Sequence, residues 1–345
     1  MQTIQVNTAP PYQIFIENGC FPRTGELVKP FVRGTSAVIV TDSNIGPLYA
    51  KQAADSLGKS GFDPHIFTFP AGEPNKTLAT VGEILGFFAQ KRLTRADFAV
   101  ALGGGVTGDL TGFAASIYLR GIDFVQVPTS LLAQVDSSVG GKTGCDLPQG
   151  KNLVGAFWQP RAVVIDPEVN QTLPPLERKS GMAEVIKTAA IKDAEWFDQI
   201  GTLPDIELIA RSVDIKRGVV ERDERESGER MLLNFGHTVG HALEKAYNFT
   251  GITHGEAVAV GMAAALRVGE RLGMTPAGVS EKLTRLLTQY DLPVSTTVPM
   301  DQLIPHIAGD KKRQGDCINF VVLEAIGRAR TLKIELTELA GLLKL

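Results

Sequence analysis

The chain is poor in cysteine and in histidine, carries little net charge and contains no long apolar run. Its three cysteines, Cys20, Cys145 and Cys317, are far apart and form no CxxC pair. That excludes a thiolate zinc site and a disulfide framework. A net charge of −3 over 345 residues gives no electrostatic reason to expect nucleic acid or a membrane surface as a partner. No apolar stretch is long enough to span a bilayer. The segment Met1–Val6 alternates polar and apolar residues like a strand and lacks the basic and apolar regions of a signal peptide. Cytoplasm is therefore the expected location. No repeat and no low-complexity segment is present. A hydrophobic content of 43% and a charged content of 21% are those of an ordinary globular protein, with length enough for two domains.

Of only five histidines, three fall in one short window: His237, His241 and His254. His237 and His241 are four apart and share one face of a helix. Neutral imidazole is the commonest ligand of divalent metals. Three nitrogens, or two with a carboxylate, make an open catalytic zinc site. The competing reading is a polar helix start in which each imidazole is separately hydrogen-bonded. Three histidines in one window favour metal.

The first half alternates short β-branched runs with helical spans. Strands are expected at 37–40, 65–69, 98–102, 124–127 and 162–165, with helices near 48–57 and 78–90. This pattern predicts a buried parallel sheet with helices on its faces. From about Glu177 to Tyr290 the patterning is mainly helical, and 318–323 with 331–334 reads as a small hairpin. Asp166-Pro167 and Leu173-Pro174-Pro175 mark the junction. The expected domains are 1–170, α/β and Rossmann-like, and 171–345, mainly helical and metal-binding.

Gly103-Gly104-Gly105 follows an apolar strand and opens a helix. Adjacent glycines admit a diphosphate to the backbone, and the helix N-terminus supplies free N–H donors. Its match to G-x-G-x-x-G is weak alone and sits mid-domain, so a tight turn is the alternative. Asp42 ends an earlier strand and suits either ribose hydroxyls or a helix cap, with nothing in the sequence to choose between them. Gly72–Lys76 reads as a turn whose Glu73 and Lys76 need something polar to dock on.

Lys142, Lys151 and Asn152 lie in flexible glycine-rich stretches suited to a phosphate or carboxylate, with surface loops bearing solvated lysines as the alternative. A Walker loop is excluded because Asp136 stands where its first glycine belongs. Glu184 and Lys187 share a face of the helix 180–187 among apolar neighbours, either as an ordinary ion pair or as part of a site. Arg230, Asn234, His237 and His241 fall at i, i+4, i+7 and i+11, which predicts one helical stripe of polar groups. The charge-dense run 222–230 reads as a solvated helix face, Arg230 excepted.

The motifs GEPNK (72–76), GGGVTGDLTGF (103–113), PTSLLAQVDSSVGGKTG (128–144), GKN (150–152), SGMAEVIK (180–187), NFGHTVGH (234–241) and HGEAV (254–258) together resemble those of the 3-dehydroquinate synthases, a family of sugar-phosphate cyclases related in fold to metal-dependent glycerol dehydrogenases. The resemblance covers nearly the whole chain. It implies an NAD-binding α/β domain, a helical C-terminal domain, and an active site in the cleft between them. Zinc, or cobalt, would be held by Glu184, His237 and His254, leaving His241 to face substrate. NAD contacts would fall on Asp42, Asn44, Glu73, Lys76, Gly104, Gly105, Val106, Asp109, Thr129, Ser130, Lys151, Thr172 and Leu173. Substrate contacts would fall on Asp136, Lys142, Asn152, Lys187, Lys216, Arg230, Asn234, His241 and one lysine of the Lys311-Lys312 pair, Lys311 rather than Lys312, with Lys142 also counted among the cofactor contacts. Arg120 would reach the partner's site in a homodimer. The implied reaction is transient NAD-dependent oxidation of a heptulosonate phosphate, β-elimination of phosphate, re-reduction, ring opening and aldol closure. Another sugar-phosphate cyclase or a metal-dependent polyol dehydrogenase is the alternative.

Overall fold

A computed structural model describes residues 1–308, 313–314 and 317–344. The expected substrate lysine, Lys311 or Lys312, lies outside the described residues. The chain divides into two compact units: Met1–Leu173 with Asp205–Glu221, and Pro174–Pro204 with Arg222–Leu345. The first unit thus includes a later return of the chain that a single boundary near 170 does not contain.

The first unit is built on a seven-stranded sheet. Its strands are β1 (Gln2–Val6), β2 (Tyr12–Ile16), β3 (Ser36–Asp42), β4 (Asp63–Phe69), β5 (Phe98–Gly103), β6 (Asp123–Pro128) and, after the separate pair β7 (Lys142–Leu147) and β8 (Gly150–Phe157), β9 (Ala162–Ile165). Their order is β1-β2-β9-β6-β5-β3-β4. All neighbours pair parallel except β1 with β2. Every residue of β5, β6 and β9 is buried, which is why these strands read as unbroken apolar runs rather than alternating ones. Ile39, Val100, Leu102 and Val125 pack on Leu27, Ala53 and Leu57. Val38, Val40, Ala99 and Phe124 pack on Val81, Ile84, Phe88 and Leu110. Successive strand residues feed opposite layers, so the sheet has a core on each face.

The glycine-rich stretches around Lys142, Lys151 and Asn152 are not flexible loops. They form the antiparallel pair β7–β8. The reason is steric: a Cβ at Gly144 would lie 2.5 Å from the Val154 carbonyl, and one at Gly155 2.1 Å from that of Thr143. The glycines let two backbones approach.

The second unit is mainly helical, with the strands β10 (Arg313–Gln314), β11 (Cys317–Ala325) and β12 (Arg328–Glu335) forming an antiparallel sheet. The expected late hairpin is the β11–β12 pair. The helix His254–Arg271 lies at the centre of this unit, with 13 buried residues. Among the described residues, no helix is long and apolar enough to cross a membrane.

Candidate metal centre and nucleotide-binding edge

Three helices of the second unit deliver one cluster. The helix Pro175–Lys192 carries Glu184 at mid-length. His237 is the first residue of helix His237–Ala246, and His254 the first of His254–Arg271. Each start is set locally. Thr253 and Glu256 form a reciprocal capping box, which fixes His254 at the head of its helix. Gly236, at φ +80°, begins the other helix in the left-handed region. A side chain there would meet the Val258 carbonyl at 2.7 Å.

Close backbone crossings then bring the three together. The Gly255 amide donates to Ser180 Oγ at 2.9 Å, and a Cβ on Gly255 would lie 2.2 Å from the Ser180 carbonyl. Ser180 stands one turn before Glu184, so this contact sets Glu184 against His254. A Cβ on Gly261 would lie 1.8 Å from the Gly236 carbonyl, which holds the two histidine-bearing helices together.

The side chains converge. His237 Nε2 lies 3.5 Å and His254 Nε2 3.3 Å from Glu184 Oε1, and Lys187 Nζ pairs with Glu184 Oε2. Glu184 and Lys187 are both 1% exposed, so theirs is not a surface ion pair. Neither Glu184 oxygen has a hydrogen bond of ordinary geometry. The outer nitrogens are occupied instead: His237 Nδ1 faces the Phe235 carbonyl at 3.2 Å, and His254 Nδ1 faces Glu244 Oε1 at 3.4 Å. A buried carboxylate and two inward Nε2 atoms within mutual ligating reach are a donor set for zinc or cobalt. The His241 ring lies 5.3 Å from that of His237 and 6.1 Å from that of His254, beside this set.

Electrostatics follow the same contacts. Burial alone would raise the Glu184 pKa, but Lys187 and then His254 outweigh it and hold the carboxyl at about 2. Burial would lower that of His254, but Glu244 and Glu184 hold the imidazole at about 10. The charged imidazole therefore stabilises the metal-free fold below pH 6.5, and this contribution is lost as pH rises to about 10. A metal must displace that proton. Zinc binding is expected to release about one proton near neutrality and to tighten as pH rises. Calorimetry in two buffers of different ionisation enthalpy checks this, and equal heats in both would contradict it.

The predicted single stripe through Arg230, Asn234, His237 and His241 needs correction. Arg230 and Asn234 lie on a 3-10 turn, Glu229–Asn234, and the break at Phe235–Gly236 separates it from the next helix. The run 222–230 is not a solvated helix face either, because the helix Asp205–Arg222 ends there. Asp223 gathers the turn by accepting from the amides of Ser227, Gly228 and Arg230 at 2.9, 2.7 and 3.0 Å. Arg230 is the expected exception, 1% exposed, and donates to the Glu224 carbonyl. Asn234 Nδ2 donates to Glu226 Oε1 at 2.5 Å. Glu226 and Glu244 escaped the sequence reading. Glu244 follows His237 by seven residues and His241 by three, a same-face spacing that signals it.

In the first unit the expected NAD residues follow the C-terminal ends of parallel strands. Asp42 ends β3 and Asn44 follows it, Glu73 and Lys76 follow β4, and Gly104–Asp109 follow β5. Thr129 and Ser130 follow β6, and Thr172 and Leu173 come after β9. The strand order reverses between β3 and β5, the crevice where open α/β sheets bind ligands. A Cβ on Gly104 would fill it toward Ser130 Oγ, 3.4 Å away, and one on Gly105 toward Ser137 Oγ at 3.2 Å. The free N–H groups of the helix Gly105–Ile117 suit a diphosphate there. Asp42 also caps its own turn, accepting from the amides of Asn44 and Ile45 at 2.8 and 3.1 Å.

Buried Lys76 bridges Asp109 Oδ2 and Asn152 Oδ1, each at 2.6 Å. Burial would lower its pKa, but Asp109, Glu73 and Asp146 raise it. Lys151 pairs with Glu73 at 3.0 Å, and Lys216 with Asp136 Oδ1 at 2.7 Å.

Comparison with known proteins agrees with this geometry. The chain superimposes on 2-deoxy-scyllo-inosose synthase complexed with carbaglucose-6-phosphate, NAD+ and Co2+ with a TM-score of 0.88, at 27% identity over 99% of both chains. It superimposes on 2-epi-5-epi-valiolone synthase from Streptomyces hygroscopicus, with NAD+ and Zn2+ bound, with a TM-score of 0.87, at 26% identity over 96% of this chain and 95% of the other. Glycerol dehydrogenase from Schizosaccharomyces pombe shares the fold at 17% identity, with a TM-score of 0.65 over 96% and 87%. The fold is thus that of the sugar-phosphate cyclases. Residues 66–180 match the family model for the 3-dehydroquinate synthase N-terminal region, and 181–313 that for its C-terminal region. The 3-dehydroquinate synthase of Clostridium kluyveri is 43% identical over 99% of this chain and 98% of its own. That of Latilactobacillus sakei is 45% identical over 100% and 99%. The chain belongs to the 3-dehydroquinate synthase family.

Proposed function

We propose that the chain converts 3-deoxy-D-arabino-heptulosonate 7-phosphate to 3-dehydroquinate and inorganic phosphate. The observation that carries this reading is the Glu184–His237–His254 cluster, with Lys187 against it, in a chain of this family. When bound, NAD+ supplies a reversible hydride acceptor and a divalent metal supplies a Lewis acid that acidifies a substrate hydroxyl.

The remaining work falls to side chains. Asp42, Asn44, Glu73, Lys76, Gly104, Gly105, Val106, Asp109, Thr129, Ser130, Lys151, Thr172 and Leu173 hold the nucleotide. Lys142, Asn152 and Lys187, with the partner subunit's Arg120, take the phosphate. Lys216, Arg230, Asn234 and Lys311 take the carboxylate and neighbouring hydroxyls, and Asp136 and His241 hold the reacting hydroxyls. The homodimer is part of the proposal. The positive φ of Arg120, 69°, and the exposure of Ile117 and Leu119 on the same segment support it. A cytoplasmic site of action accords with this biosynthetic reaction.

The test is one assay: protein, NAD+, Zn2+ and the heptulosonate phosphate, following phosphate release and NADH absorbance together. Phosphate without net NADH is the expected result. Lasting NADH would instead fit a polyol dehydrogenase, and absence of phosphate would end the reading. Arg230→Ala is expected to weaken substrate binding by about 2–5 kcal/mol, because a buried charge partner is lost. NAD+ affinity should be unchanged, and an equal loss of both would assign Arg230 elsewhere.

A further inference from the structure

We propose that Glu244 is a positioning residue for the metal centre: it holds His254 by Nδ1 so that Nε2 faces the metal. The proposal rests on the metal-dependent reading above and concerns a residue that touches neither substrate nor metal in that reading.

The two histidines of the cluster are oriented by different means. His237 Nδ1 faces a backbone carbonyl, that of Phe235 two residues before it, at 3.2 Å. Any residue at 235 offers that acceptor. His254 has Glu244 Oε1 at 3.4 Å from Nδ1, ten residues away in sequence on the neighbouring helix. The opposite ring nitrogen, Nε2, is the atom that faces Glu184 Oε1 at 3.3 Å. One imidazole thus lies between two carboxylates, one on each nitrogen. A proton kept on Nδ1 by Glu244 leaves the Nε2 lone pair for a metal and makes the ring a stronger donor.

Burial argues the same way. Glu244 is 2% exposed, and its helix neighbours Ala242 and Leu243 are core residues. A carboxylate in such a place is costly unless a charged or hydrogen-bonded partner holds it. His241, Glu244 and His254 also fall within mutual ligating distance. This second grouping uses the same His254 ring and so is read as support for the first centre.

The test compares two near-isosteric variants. Glu244→Met removes the acceptor at almost constant volume, whereas Glu244→Gln keeps a carbonyl that can accept from Nδ1. The readouts are Zn2+ affinity by chelator competition, the visible spectrum of the Co2+-loaded protein, and the melting temperature of the metal-free protein. Glu244→Met should bind Zn2+ about 10–100-fold more weakly, with an altered Co2+ spectrum. Glu244→Gln should recover most of the affinity and the wild-type spectrum. NAD+ affinity should not move in either.

Wild-type Zn2+ affinity in Glu244→Met would overturn the proposal. So would equal losses in both variants that follow a fall in melting temperature, since those report packing. If Glu244→Met does not fold, Glu244→Ala replaces it with the same two outcomes. Failure of the wild-type protein to bind Zn2+ at all would sink the metal-dependent reading itself, a result distinct from either.

Discussion

Glu184→Gln is expected to lower kcat/KM by about a thousandfold or more. In the proposed centre it removes the anionic ligand, and with it several kcal/mol of charge stabilisation. The substitution also strips the Lys187 ammonium of the carboxylate that faces it at 1% exposure, which costs about 3–5 kcal/mol of stability. The two losses can be separated. Glu184→Gln combined with Lys187→Met removes both charges, so thermal stability should largely return while Zn2+ affinity and turnover stay low. Chelator competition and a thermal melt, run on both variants, distinguish them. Wild-type zinc affinity in the single variant would remove Glu184 from the ligand set. The lowered carboxyl pKa adds an acid limb: its contribution to stability is present above pH 4.5 and is lost as pH falls toward about 2.

Gly261→Ala is expected to destabilise the second unit by about 3 kcal/mol or more, at the upper end for overpacking. The added carbon would stand 1.8 Å from the Gly236 carbonyl and 3.0 Å from the Gly240 nitrogen. Both are backbone atoms, and no rotamer change clears them. The helices must part, and they are the helices that begin at His237 and His254. Metal affinity should therefore fall with stability, which a merely local strain would not cause. A melting temperature lower by roughly 6–12 °C is the corresponding shift for a unit of this size. The control is Gly278→Ala. A side chain there meets nothing within 4 Å, and helix propensity predicts a gain of up to about 1 kcal/mol. If Gly261→Ala melts like the control, the close crossing is not what holds the ligands.

The parallel sheet was legible because burial on both faces leaves no polar alternation: 98–102, 124–127 and 162–165 could be little else. The pair β7–β8 was hidden because Gly144 and Gly155 look like loop residues, when their purpose is close strand approach. Strand β2 was missed because Pro10-Pro11 directly before it read as a turn and broke the strand signal. In the second unit, clustered histidines pointed to a candidate metal centre, and the family resemblance singled out Glu184, which the structure sets against His237 and His254. Periodicity alone overran Gly236, joining a 3-10 turn to a helix across a left-handed residue. A glycine between two polar runs is itself a stop signal for a helix. Glu244 went unread because an acid near the end of a short helix is ordinarily exposed; only its place against His254 gives it meaning.

The left-handed Gly236 has an evolutionary consequence. Along an unbroken helix, inserting or deleting one residue rotates the part before the change by about 100° relative to the part after it. Arg230 and Asn234 would then swing away from the histidines with each change of length. A chain that restarts its helix at His237 suffers no such rotation. The 223–235 segment can lengthen, shorten or exchange Arg230 and Asn234 while the imidazoles keep their register. Substrate preference and metal ligation can diversify at different rates within one continuous stretch of sequence.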